Sequence, residues 1–125
     1  MAWVRCCGGS SKPTTFTDTF SNPHAQTTTR VIGVSPKNGT VTISLKVTFA
    51  TATSVSSASF NNNYLTVGAQ TFSLWDYKTS PTSGSISFIT FNVTCLISNG
   101  DSISINTYNP SSSIDRTWEV EAVIS

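Results

Sequence analysis

An all-β fold, an antiparallel β-sandwich of jelly-roll type, is what this sequence of 125 residues predicts. Three observations predict it. First, residues 40–50 (TVTISLKVTFA) alternate strictly: Val41, Ile43, Leu45, Val47 and Phe49 fall in one phase, and Thr42, Ser44, Lys46 and Thr48 in the other. Successive side chains of a strand point to opposite faces, so the apolar set faces a core and the polar set faces away from it. Second, further stretches of this kind recur between Gly, Pro and Asn turn signals, the spacing of a sandwich or barrel. Third, Ser and Thr make up roughly a third of the chain, far above average usage, and supply the outward half of that alternation. An immunoglobulin-like sandwich is the alternative within the class.

The elements follow in order. Residues 1–26 read as an irregular arm: Cys6-Cys7-Gly8-Gly9 interrupts a start at Trp3-Val4, and Pro13 and Pro23 flank Phe16 and Phe20. A short strand near residues 14–20 fits those two phenylalanines as anchors. Residues 27–125 read as one sandwich domain. Its first firm strand is residues 27–34, and Ser35-Pro36-Lys37-Asn38-Gly39 then supplies a turn that predicts a hairpin with the central strand. Strands are expected at residues 64–67 and 70–75, with Gly68 as a turn or bulge between them. In residues 85–97, Ile86 and Phe88 lie in one phase and Phe91, Val93, Cys95 and Ile97 in the other. That phase change predicts a β-bulge near Ile89-Thr90 and places Cys95 in the core. Ser98-Asn99-Gly100-Asp101 reads as a hairpin turn, after which Ile103 and Ile105 face inward. In the last strand, residues 114–124, Trp118, Val120, Ala122 and Ile124 alternate against Thr117, Glu119 and Glu121.

Composition excludes several functions. The formal net charge is +1, with no run of either sign, so no cluster of Lys and Arg is present to displace counterions from nucleic-acid phosphates. No apolar run approaches the length of a membrane-spanning helix. The opening MAWVRCCGGSSK has no apolar segment of signal-peptide length. With Met1 as the start, the expectation is folding in the cytoplasm, where Cys6, Cys7 and Cys95 stay reduced and the Asn38 and Asn92 sequons go unused. A surface so low in charge is kept soluble by hydroxyls, or is partly hidden in an assembly.

Catalytic chemistry has little to stand on. The single histidine, His24, lies beside Pro23 with no nucleophile elbow or equivalent context. Glu119 and Glu121 share a face, but it is the solvated one. No zinc spacing, calcium loop or phosphate-cradling glycine motif appears. The expectation is a protein that is not an enzyme and holds no metal or cofactor.

Two stretches carry recognition chemistry. Residues 60–77 bring Asn61, Asn62, Asn63, Tyr64, Trp75, Asp76 and Tyr77 close in sequence. Aromatic rings stack on sugar faces while amides and carboxylates bind hydroxyls; the same mixture suits a protein partner, and Trp75 with one tyrosine also suits a core. The second stretch is Trp3, Val4, Arg5, Cys6 and Cys7. It is either an arm that adds a strand to a neighbouring subunit or a strand closing its own sheet.

This architecture and the MAWVRCCGGS opening resemble small phage-encoded virion proteins, namely the receptor-binding tips of fibres and capsid decoration proteins. The resemblance implies a non-enzymatic virion component assembled from cytoplasmic subunits, with residues 3–9 as an attachment segment. It implies a homo-oligomer, with a trimer favoured, contacts with other virion proteins and a cell-surface glycan as ligand. A fibre protein usually has a longer shaft-forming region, whereas here the sandwich starts within about thirty residues, so the expectation is a decoration or stand-alone tip protein, or else a truncated domain. A soluble carbohydrate-binding or adhesin module is the alternative.

Overall fold

A computed structural model describes residues 13–125. The fold is all-β. Eight strands run in chain order: β1 (Thr14–Asn22), β2 (Thr27–Val34), β3 (Gly39–Ser54), β4 (Tyr64–Val67), β5 (Gln70–Ser73), β6 (Ser85–Ile97), β7 (Ser102–Tyr108) and β8 (Arg116–Ile124). Two short 3-10 turns, Ser57–Phe60 and Leu74–Tyr77, are the only helical pieces among the described residues. Among the described residues no helix is long and apolar enough to cross a membrane.

The strands form two four-stranded antiparallel sheets, in the orders β1-β8-β3-β6 and β2-β7-β4-β5. Strand β1 pairs with β8, β2 with β7, β3 with β6 and β4 with β5, as if one long hairpin had been folded and then rolled. Rolling adds the ladders β3·β8 and β4·β7. This double Greek-key order is the jelly roll.

The period of two in the sequence explains what each strand buries. Val41, Ile43, Leu45 and Val47 of β3 are buried, as are Trp118, Val120, Ala122 and Ile124 of β8 and Ile103 and Ile105 of β7. At the centre, Trp118 stacks on Phe91 at 5.7 Å between ring centroids, and Phe60 meets Phe91 at 5.7 Å and Trp118 at 6.3 Å. Burying each such ring contributes about 1.5–3 kcal/mol or more, and the cluster anchors the Ser57–Phe60 turn to β6 and β8 of the first sheet.

Both expected hairpins at Asn-Gly turns are corrected. Strands β2 and β3 lie in different sheets, and so do β6 and β7. The two turns are corners that cross the sandwich, and they pair with each other. The Ser35 N–H donates to the Asp101 carbonyl (2.8 Å), the Gly100 N–H to the Ser35 carbonyl (2.8 Å), and the Asn99 N–H to Asn38 Oδ1 (2.8 Å). The turn that does close a hairpin is Gly68-Ala69 between β4 and β5, with Gly68 at a φ of +58°. That left-handed value is readily reached by glycine.

The short strand expected near residues 14–20 is present, as a regular strand over Thr14–Asn22 on the edge of the first sheet. Two further expectations change. The bulge expected at Ile89-Thr90 is elsewhere: Thr90, Ile89 and Phe88 pair in unbroken register with Lys46, Val47 and Thr48, and the extra residues lie on β3 between Thr48 and Thr53. Phe88 is consequently outward and 45 % exposed. Cys95 is half-buried against the core rather than within it, and its partial burial raises the thiol's pKa.

Where the lateral edges of the two sheets meet, Arg30 of β2 grips Asp18 of β1 through two hydrogen bonds of 2.9 Å. Phe16 fills the space over Gly33, where an added Cβ would come within 2.7 Å of the ring. Absence of a side chain at Gly33 is what lets β1 close on β2 there.

Candidate functional site

Outward residues of the first sheet line up in rows because the register is continuous across all four strands. One row is Thr19, Glu119, Lys46 and Thr90; the next is Thr17, Glu121, Ser44 and Asn92. Neighbouring strands are about 4.8 Å apart, so four side chains span about 15 Å. Beyond β6, Thr79 extends the first row: its N–H donates to the Thr90 carbonyl (2.8 Å), and the two hydroxyls are 2.9 Å apart. Ser80 Oγ accepts the Thr90 N–H (3.1 Å). This added segment forms a wall.

The result is a groove of about 760 Å³ on the outer face of the sheet, lined by both rows, Thr79 and Asp18. Leu45, Phe91 and Val120 also border it, and its polar groups are hydroxyls, one amide, carboxylates and one ammonium. Among the described residues the ion pairs are Arg30–Asp18 and His24–Asp115, so Glu119 and Glu121 are in neither. Lys46 Nζ lies 4.9 Å from the ring centroid of Phe88, a cation–π contact at the groove's end. Asp18 is held below the usual carboxylate range, chiefly by its hydrogen bond from Arg30.

Polar residues on the outer face of the second sheet are spent differently. Thr29 Oγ1 donates to Asn106 Oδ1 (2.7 Å), Asn106 Nδ2 to the Asn62 carbonyl (3.2 Å), and the Tyr64 hydroxyl to Asn62 Oδ1 (3.2 Å). Asn62, Tyr64 and Asn106 thus satisfy one another.

The residues singled out between 61 and 77 are spread over several structural roles. Asn63 is fully buried and acts as a clamp: its Nδ2 donates to the Asn61 and Tyr108 carbonyls (3.0 and 3.1 Å), and its Oδ1 accepts the Tyr108 N–H (3.2 Å). Asn61 is exposed and supplies one of those carbonyls. Trp75 is half-buried, stacked on Phe60 at 5.6 Å, with Lys78 Nζ 4.5 Å from its ring centroid. Tyr77 packs edge-on against Phe72 at 5.6 Å, and Asp76 is exposed. Trp75 and Tyr77 belong to the 3-10 turn that packs where β5 gives way to the Lys78–Phe91 bridge. The second expected stretch, Trp3, Val4, Arg5, Cys6 and Cys7, lies outside the described residues.

His24 sits in the turn after β1. Its N–H and Nδ1 both contact Asp115 Oδ1, at 2.9 and 2.7 Å, and these bonds lower the Asp115 pKa. The pair is exposed and ties the β1–β2 turn to the start of β8. Among the described residues no three His, Cys, Asp or Glu side chains converge as metal ligands would.

Sequence reasoning missed the groove because its residues come from four separate strands. Each was legible as outward, but only the strand order brings them together. It also missed Arg116, which lies in the inward phase of β8, two residues before Trp118. Carrying the period of two back one step would have marked it as a buried arginine.

No protein-family model matches the chain, and no curated protein matches it in sequence. Among solved structures, it is similar to VP2 of infectious bursal disease virus in a subviral particle, at 13 % identity and a TM-score of 0.47, covering 91 % of this chain and 33 % of that one. A capsid structure of the Helicobacter pylori bacteriophage KHP30 matches at 9 % identity and 0.41, covering 91 % and 89 %. A family 35 carbohydrate-binding module from Clostridium thermocellum matches at 8 % and 0.40, covering 89 % and 98 %. The chain spans about a third of the length of the two infectious bursal disease virus chains it matches. These are similarities to other proteins, and no role is transferred from them.

Proposed function

We propose that the chain is a non-enzymatic structural protein of a virion surface, a fibre-tip or decoration component, that docks on a neighbouring virion protein and takes a glycan. The observation that carries the ligand half of this reading is the groove on the outer face of the first sheet. Its carboxylates, amide and hydroxyls are arrayed at strand spacing, which suits the closely spaced hydroxyls of a saccharide. The groove replaces residues 61–77 as the favoured glycan site. The virion half rests on analogy of fold, since jelly rolls serve as capsid and lectin domains, and on the hydroxyl-rich, low-charge surface. Assembly as a homo-oligomer, a trimer first among them, belongs to the same reading.

A soluble carbohydrate-binding module would use the same groove, which favours it as the second reading. Two measurements separate the alternatives. Binding to an array of neutral and acidic oligosaccharides tests the groove: a Glu119→Gln/Glu121→Gln double variant with unchanged melting should lose the signal, and retention of binding would sink the site. Light scattering on the full chain tests assembly. A closed oligomer supports the virion reading, whereas a strict monomer that still binds sugar supports the module.

A further inference from the structure

A second cavity lies at the end of the sandwich remote from the Asn-Gly corners. Arg116 opens β8 in its inward phase, opposite Phe49 of β3 and Asn22 of β1. It is 4 % exposed and has no carboxylate partner. Its Nη2 donates to the Ser59 carbonyl (3.0 Å), and its guanidinium carbon lies 4.5 Å from the Phe60 ring centroid and 5.4 Å from that of Phe49. Nε and Nη1, three N–H donors between them, are buried without an acceptor. Burial lowers the pKa to about 10, which still leaves the group charged at neutral pH.

A buried cation without a counter-ion is costly, and an apolar residue of similar volume would fill the space without that cost. The surroundings suggest what the charge is for. Beside Arg116 is a cavity of about 250 Å³, bordered by Thr53, Ser54 and Val55 at the end of β3, by Ser59, and by Pro110, Ser111 and Ile114 of the β7–β8 loop. The extra residues of β3 between Thr48 and Thr53 make up part of this end of the sandwich. Ser111 Oγ accepts the N–H groups of Ser113 (3.2 Å) and Ile114 (2.8 Å), so its own proton is left to donate. No described residue lining the cavity carries a negative charge. At about 30 Å³ per water the space equals roughly eight waters, below the volume of a drug-sized site.

We propose that this cavity binds a single sugar acid of the hexuronic class. The carboxylate pairs with the guanidinium of Arg116, whose unpartnered Nε and Nη1 are shut off from solvent and meet it once the side chain turns toward the cavity; the ring hydroxyls meet Ser54 and Ser111, and the apolar ring face lies toward Val55, Pro110 and Ile114. The site is independent of the groove on the first sheet.

Titration of the full chain with D-glucuronate, D-glucose and sulfate tests it, read by calorimetry and by backbone amide shifts. Glucuronate should bind saturably, moving the amides of Ser54, Ser111 and Arg116, while glucose does not bind. Arg116→Met should weaken glucuronate at least tenfold, as expected for loss of a charge-assisted hydrogen bond. Ser54→Leu, at an exposed position on the cavity rim, should do the same while leaving Arg116 and the fold intact, so the test survives if the arginine variant does not fold. Equal binding of sulfate and glucuronate would reduce the site to a general anion hole and overturn the proposal. So would unchanged glucuronate binding in Ser54→Leu, or no glucuronate binding at all.

Discussion

The outer faces of both sheets carry hydroxyls and amides, but they use them differently. On the first, the rows through Glu119 and Glu121 cross four strands in unbroken register and line an open groove. On the second, β4 and β5 are four residues each, and Thr29, Asn106, Asn62 and Tyr64 close a hydrogen-bonded chain among themselves. Ser, Thr and Asn therefore do not define a recognition surface by being present. On the first face Asn92 Nδ2 donates to Ser44 Oγ (3.3 Å) and the Thr79 and Thr90 hydroxyls pair, while Glu119 and Glu121 are in no ion pair among the described residues and stay available to a ligand. On the second, polar groups are consumed where short strands leave neighbouring backbone and amide groups to be satisfied.

The largest expected effect comes from the buried Asn63 clamp, which ties the start of β4 to the end of β7 in the second sheet. Asn63→Ala removes a fully buried side chain with three hydrogen bonds and leaves two carbonyls and one N–H without their partner. A loss of about 3 kcal/mol is expected, visible as a drop in the denaturant midpoint. A loss below about 0.5 kcal/mol would mean that Asn63 does not clamp β4 to β7 as described.

Next is the edge where the sheets meet. Gly33→Ala places a Cβ within 2.7 Å of the Phe16 ring. It should destabilise by about 1–3 kcal/mol, and pairing it with Phe16→Ala should recover part of that, since the two changes share one space. Strict additivity would show that the clash is not the cause.

The same edge gives a pH dependence. Asp18 is held below the ordinary carboxylate value of 3.8 by Arg30, so the folded chain binds its proton less readily than the unfolded chain. Its contribution is fully present above about pH 4 and is lost as pH falls through the lowered folded value. Asp18→Asn should therefore flatten stability against pH between neutral and about pH 2, with the two proteins converging at the acid end. A constant offset across that range would contradict it.

The smallest effect sharpens the contrast from the other side. Glu121→Gln and Ser44→Ala on the open groove should change stability by less than about 0.5 kcal/mol, because neither side chain holds the fold together. Two residues on the open face would then cost less than the one buried clamp of the second sheet.

Much of the fold was legible in the sequence and much of the site was not, for one physical reason. Alternation is local, so the inward sets of β3, β7 and β8 could be read directly from residues such as Ile43, Ile105 and Trp118. Strand order is not local. Ser35–Gly39 and Ser98–Asp101 look like hairpin turns because Asn-Gly favours tight reversal, and nothing nearby says whether the next strand pairs in the same sheet or crosses to the other. The asparagines show the same limit. Asn61, Asn62 and Asn63 are equivalent in sequence, yet one is exposed, one bridges Tyr64 and Asn106, and one is a buried clamp. Trp75 was open to two readings, recognition or core, and its stacking on Phe60 shows how much of it the core uses.

Amide shift mapping with a mixture of soluble oligosaccharides tests the central contrast most directly. Shifts are expected at Ser44, Lys46, Asn92, Glu119 and Glu121, with Asn62, Tyr64 and Asn106 undisturbed. Shifts centred on residues 61–77, with the first sheet silent, would contradict it.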